Sequence, residues 1–154
     1  MNAENTRVIR SSALAVTFIA RQFGIRINSD AVETALDHGV LSNSRELDKF
    51  FSDHQVLTKP RKANASDLLD KRYLYQCVGV MRSGQAQILI GTKKDGSNSE
   101  DLILFIDPID PTAQLQEQPF SQFLEKWGKK IIIVAPKSDT ASLDREYGWG
   151  WFFP

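Results

Sequence analysis

Apolar residues recur along this chain in two rhythms, helical at first and strand-like later. Over residues 11–23, Ala13, Leu14, Ala15, Val16, Phe18, Ile19 and Ala20 leave polar positions only at Thr17, Arg21 and Gln22. So wide a stripe predicts a helix buried on most sides, with serines at its start as caps and Gly24 at its end. Residues 25–28 read as an extended link. Ser29 caps a second predicted helix that runs to about His38, with Gly39 after it. Asn43 followed by Glu46 resembles a capping box, and Leu47, Phe50 and Phe51 continue that helix to about Asp53.

Beyond this point the period changes to that of strands. Residues 56–61 alternate as a strand, and 66–71 allow one helical turn. Residues 75–82 and 85–93 flank Ser83-Gly84, which predicts a β-hairpin. Residues 94–101 form a polar loop, and 102–106 a buried strand that Asp107-Pro108 stops. Pro119 opens a short helix containing Phe120, Phe123, Leu124 and Trp127. Residues 130–135 make a last apolar strand. Helices first and hairpin-linked strands afterwards predict the α+β class.

The bulk numbers narrow the function. The chain has 154 residues, of which 42% are hydrophobic and 25% charged, an ordinary balance for one globular domain. Lys plus Arg and Asp plus Glu are both 19, so nothing argues for nucleic acid as a partner. One cysteine excludes an intrachain disulfide. Residues 1–10 lack the apolar core of a secretion signal. No apolar run approaches the ~20 residues that span a bilayer. Residues 137–145 are polar and linker-like, and the chain then reads Tyr-Gly-Trp-Gly-Trp-Phe-Phe-Pro to its end. Rings of this kind suit a membrane–water interface or another domain. The expected division is a domain over 1–136 and a linker with an aromatic junction over 137–154.

Several short motifs, in this order, resemble the peptidase-like domain that precedes the membrane helices of type I secretion ATP-binding-cassette transporters. The stretch 10–24 (Arg-Ser-Ser-Ala-Leu-Ala-Val-Thr-Phe-Ile-Ala-Arg-Gln-Phe-Gly) is similar to the family's nucleophile-bearing helix. The stretch 84–90 (Gly-Gln-Ala-Gln-Ile-Leu-Ile) is similar to the strand its catalytic histidine opens, and Asp107-Pro108 to its third catalytic position. The helix before Trp127, the strand 131–135 and the closing Trp-Phe-Phe-Pro follow the same layout over residues 7–154, and the resemblance implies that 137–154 lead towards a further, transmembrane domain. The resemblance implies a papain-like fold, with N-terminal helices packed on an antiparallel sheet.

The same resemblance places Ser11 at the nucleophile position, Ala86 at the base position and Asp107 at the third. Such a site needs a thiolate and an imidazole, and loss of the unit costs about 10⁴–10⁶ in rate. The expectation is therefore a domain that is not an enzyme, with no catalytic residues and the three positions degenerate. His38 and His54 read as capping or solvated residues at helix ends, and Cys77 as a buried structural thiol. They form no metal-ligand pattern, and no phosphate loop follows Gly84, Gly91 or Gly96. No cofactor is expected in this domain, ATP and magnesium belonging to a separate nucleotide-binding domain. The resemblance implies recruitment of unfolded secreted cargo, a repeats-in-toxin protein or a large adhesin, at the cytoplasmic side of a bacterial inner membrane. Its partners would be that cargo and the rest of a transporter, dimeric in the full-length form, with no nucleic acid and no membrane insertion by this segment. Residual leader cleavage, or regulation of transporter assembly, are the alternatives. The sequence leaves the cargo-binding residues unassigned.

Overall fold

The structure is a computed structural model that describes residues 3–69, 77–94, 100–110 and 112–137. Three helices come first: α1 (Ala3–Gln22), α2 (Ser29–Asp37) and α3 (Ser44–Asp53). Strand β1 (Val56–Lys62) and the single turn α4 (Ala65–Leu69) follow. Then come β2 (Cys77–Met81), β3 (Ala86–Lys94), β4 (Asp101–Ile106), β5 (Leu115–Pro119), α5 (Phe120–Lys126) and β6 (Trp127–Pro136).

Local chemistry fixes the helix ends. Gly24 and Gly39 take φ of +81° and +73°, which favours glycine. Ile25 N–H then reaches Ala20 O at 3.1 Å and Val40 N–H reaches Ala35 O at 2.9 Å, closing α1 and α2 with the Schellman pattern. Asn43 Oδ1 accepts from Glu46 N–H at 2.9 Å and caps α3 as predicted. The second cap differs from expectation. Asn28, not Ser29, caps α2, accepting from Asp30 N–H at 2.8 Å, while Ser29 Oγ accepts from Arg21 of α1 instead.

The strands form one antiparallel six-stranded sheet in the order β1-β6-β2-β3-β4-β5. Side chains alternate across it, and both faces are covered. Val56, Val78, Ala86, Ile88 and Val134 point to the α1–α3 layer and join Ala13, Val16, Ala20, Val32, Leu47 and Phe51 in one core. Leu57, Cys77, Leu89, Ile131, Ile133 and Ala135 point the other way, onto Leu68 of α4 and Phe120, Phe123 and Trp127 around α5. Burial on both sides explains the continuous apolar runs in β6 and β3. Pro60 is confined to β1, an edge strand, where a missing N–H costs no ladder bond in the sheet interior.

The α+β class is as the sequence indicates. Three details differ. α1 begins at Ala3 rather than near Ser11, because the Ala-Glu-Asn-Thr-Arg run that opens it is polar after Ala3 and shows no periodic stripe. β5 was not anticipated, since Leu-Gln-Glu-Gln-Pro on a solvated edge has no alternation to read. Trp127 starts β6 rather than ending a helix, and its indole N–H donates to Lys130 O at 2.9 Å. The hairpin of β2 and β3 forms around residues 82–85 as expected, with Met81 N–H on Gln85 O at 2.9 Å. Its anticipated residues 75 and 76 lie outside the described residues, as do 70 and 71 of the helical turn and 138–154 of the proposed linker and aromatic junction.

Candidate functional site

Helix α1 lies against β3, and there Ser11 meets Ala86. The Ser11 hydroxyl donates to Val8 O at 2.8 Å and accepts from Ala86 N–H at 2.9 Å. Both residues are buried. The chain thus brings together residues 75 positions apart that the sequence resemblance assigned to nucleophile and base. Ser11 is not a helix cap, contrary to expectation. It stands inside a helix that starts at Ala3, so the N-terminal dipole, whose effect fades after the first turn, is remote from it. Its hydroxyl satisfies a buried strand N–H and ties helix to sheet.

Asp107 follows β4, whose Ile106 pairs with Ile88 of β3. Asp107 Oδ1 accepts from Ile109 N–H at 3.0 Å, and its carbonyl accepts from Asp110 N–H at 3.2 Å. The carboxylate shapes the turn that Pro108 continues.

Towards the C-terminal end of α1 the α1–β3 contact opens into an apolar cleft of about 370 Å³. Phe18, Ile19 and Phe23 of α1 face Ile88, Leu89 and Ile90 of β3 across it, with Gln22 as its polar group. A smaller cleft of about 150 Å³ shares Phe18 and Ile88 and continues past Leu14 and Thr17 to Ile106 and Pro108. Together they follow the chain from Leu14 to Phe23. β3 is irregular here, its register against β4 shifting between Leu89 and Gly91, which leaves Ile90 only half-buried at the cleft. Charged residues join α1 to α2, and Glu33 among them also lines the smaller cleft. Arg10 holds Glu33 at 2.8 Å through both carboxylate oxygens and lies 3.8 Å from Asp37, fixing α2 to α1.

The other reactive side chains are elsewhere. Cys77 is fully buried on the opposite sheet face, and burial pushes its thiol well above the usual range, so it offers no thiolate. His54 Nδ1 lies 2.8 Å from Phe50 O at the end of α3, its ring 4.4 Å from that of Phe50. His38 is the C-cap of α2. Burial raises Asp48 of α3, against the opposing hydrogen bond that Thr58 Oγ1 donates at 2.5 Å. Among the described residues no group of His, Cys, Asp and Glu is placed to hold a metal ion. No described helix is long and apolar enough to cross a membrane.

The residues of the cleft were not singled out in the sequence. Its two walls come from separate stretches that each read as core, and the one available signal was an α1 stripe wider than a single packing face requires.

No protein-family model matches the sequence, and no curated protein matches it either. Solved structures do match in fold. One is a double glycine motif protease from an AMS/PCAT transporter in complex with the leader peptide, with 16% identity and a TM-score of 0.64, covering 88% of this chain and 87% of that one. A second is the peptidase domain of Streptococcus ComA, a bi-functional ABC transporter, at 14% identity and TM-score 0.62 over 82% of this chain and 92% of that one. A third is the N-terminal peptidase C39 like domain of the toxin secretion ATP-binding protein from Vibrio parahaemolyticus, at 15% and 0.56 over 80% and 95%. The chain has the fold of these peptidase domains, the papain-like arrangement the sequence implied.

This finding corrects one expectation. A domain that is not an enzyme was anticipated, yet the matching folds are those of a protease and of peptidase domains, so the expected lack of activity is not supported. Serine and alanine at two positions assigned by resemblance do not establish inactivity. The helix–strand contact and the cleft beside it are both present.

Proposed function

We propose that this domain recognises the leader segment of an exported polypeptide, as the peptidase-like module of an ATP-binding-cassette transporter. The observation that carries this reading is the apolar cleft between α1 and β3, in a fold shared with a leader-bound protease. A cleft walled by Phe18, Phe23 and Ile90 suits the apolar side chains of a peptide, and Gln22 offers a hydrogen bond to its backbone.

Once bound, the peptide has two possible fates. The first is leader cleavage, which the protease and peptidase folds favour. The groups that the resemblance offers for it are the Ser11 hydroxyl and the Asp107 carboxylate. The second is holding of an unfolded cargo, a repeats-in-toxin protein or a large adhesin, favoured by the engagement of the Ser11 hydroxyl on both sides. On either reading the remainder of a dimeric transporter is the partner, at the cytoplasmic side of an inner membrane, with ATP and magnesium used in a separate nucleotide-binding domain.

Incubation with double-glycine leader peptides, followed by mass spectrometry and a binding titration, tests this. A product cut after the glycine pair supports cleavage. Saturable binding with the peptide intact supports holding. Neither binding nor product would sink both.

A further inference from the structure

The chain is neutral overall, yet cations from several elements meet at one place beside Glu125, the single exposed carboxylate of α5. One end of the sheet gathers Lys62 from β1, Arg82 after β2, Lys126 from α5 and Lys129 and Lys130 from β6, all exposed. Backbone bonds hold them together. Arg82 N–H donates to Lys126 O at 2.9 Å, and Ala63 N–H to Lys129 O at 3.0 Å. Lys62 and Lys130 are direct cross-strand partners.

Two features describe this end. None of the five side chains has an ion-pair or hydrogen-bond partner among the described residues, as is also true of Arg7, Arg26, Arg45 and Lys49, but only here do such cations come from several elements that are joined by backbone bonds. And the arrangement carries local costs. Like charges opposed across a ladder repel, and Lys129 holds φ of +58°, a left-handed conformation that L side chains disfavour. The bulge between Val80 and Met81 against β6 lies at the same place. A negatively charged partner would relieve the repulsion. The charges come from four elements and line neither apolar cleft beside α1, so they suit a broad, flat partner better than a peptide threaded into a groove. Four of the five are lysines, point charges without the fork geometry that selects single carboxylates or phosphates.

We infer that this lysine-rich end of the sheet docks on the anionic phospholipid headgroups of a bilayer surface. The inference rests on the reading of the domain as part of a membrane transporter. It adds an orientation, with the basic end towards the lipid and the α1–β3 cleft free for cargo.

The test is co-sedimentation of the 154-residue chain with vesicles of phosphatidylglycerol and phosphatidylcholine in equal parts, against phosphatidylcholine alone. Binding is expected only to the anionic vesicles. It should vanish in about 1 M salt, where the Debye length is ~3 Å. Lys62→Gln and Lys130→Gln should each weaken partitioning about fivefold, while Arg45→Gln on α3 should change it little. Circular dichroism of each variant confirms that it folds. Absence of binding, equal binding to both vesicles, or indifference to Lys62 and Lys130 would overturn the inference. So would failure on vesicles with Lys62- and Lys130-dependent binding of poly-glutamate, which would make the partner an acidic protein. Leader-peptide titration run in parallel separates the two claims, because loss of peptide binding with vesicle binding intact sinks only the proposed function.

Discussion

The two faces of the sheet are built from the same apolar alphabet and end up in opposite conditions. On the face of α4 and α5, Trp127, Phe123, Leu68, Ile131 and Cys77 are sealed, and Phe123 and Trp127 stack at 6.2 Å between ring centroids. On the face of α1–α3 the packing is complete near Ala13 and Val16 and then opens at Phe18, Phe23 and Ile90. Reactive side chains do not mark the open face. The thiol lies on the sealed face, where burial suppresses its ionisation. The open face carries the Ser11–Ala86 junction and the cleft, so the place where peptide chemistry is to be sought follows from packing.

Substitutions can break this contrast, and the sealed face should respond most. Trp127→Ala is expected to cost about 3–5 kcal/mol, since it empties a site that is 1% exposed and removes an indole donor. Denaturant unfolding monitored by far-ultraviolet circular dichroism measures it. Ser11→Ala should cost less, about 1–3 kcal/mol, because it leaves the buried Ala86 N–H without its acceptor. The same unfolding experiment checks this, and a variant as stable as the parent would deny the hydroxyl its linking role.

At the open cleft stability and binding should separate. Phe23→Ser, at a half-buried position, is expected to lower the unfolding midpoint slightly. It should weaken leader-peptide affinity by about tenfold, the equivalent of roughly 1.4 kcal/mol. Calorimetric titration reads the second quantity. If stability fell as far as for Trp127→Ala, the cleft would be core rather than site.

The smallest effect concerns Asp48. Its folded-state pKa is raised above 3.8 by burial, so the fold favours the protonated carboxyl. The contribution is full below the unfolded value and is lost as pH rises through the folded one. Asp48→Asn, which keeps an acceptor for Thr58, should therefore gain on the parent in stability as pH increases above 3.8 and then level off. Unfolding midpoints across that range check the sign, and a gain confined to lower pH would contradict it.

Much of this arrangement was legible in the chain and some was not, for physical reasons. The caps at Asn43 and the glycines at 24 and 39 are local signals and act locally. The strands of the sheet interior announce themselves by apolar runs. β5 does not, because a polar edge strand is held by its neighbour β4 rather than by its own pattern. The early turns of α1 are equally silent, which makes Ser11 look like a cap when only the apolar stripe is read. The meeting of Ser11 with Ala86 came from likeness to a family and from no periodicity. The cleft depends on a register shift at Leu89–Gly91 and on which side of α1 faces it, both set by the packing of distant segments.

The most direct test of leader recognition is one titration, a double-glycine leader peptide added to the parent chain and to Phe23→Ser, with intact peptide and products followed by mass spectrometry. Saturable binding to the parent that the substitution weakens about tenfold is the predicted result, with or without a cleaved product. Binding that is absent, or that ignores Phe23, would contradict it.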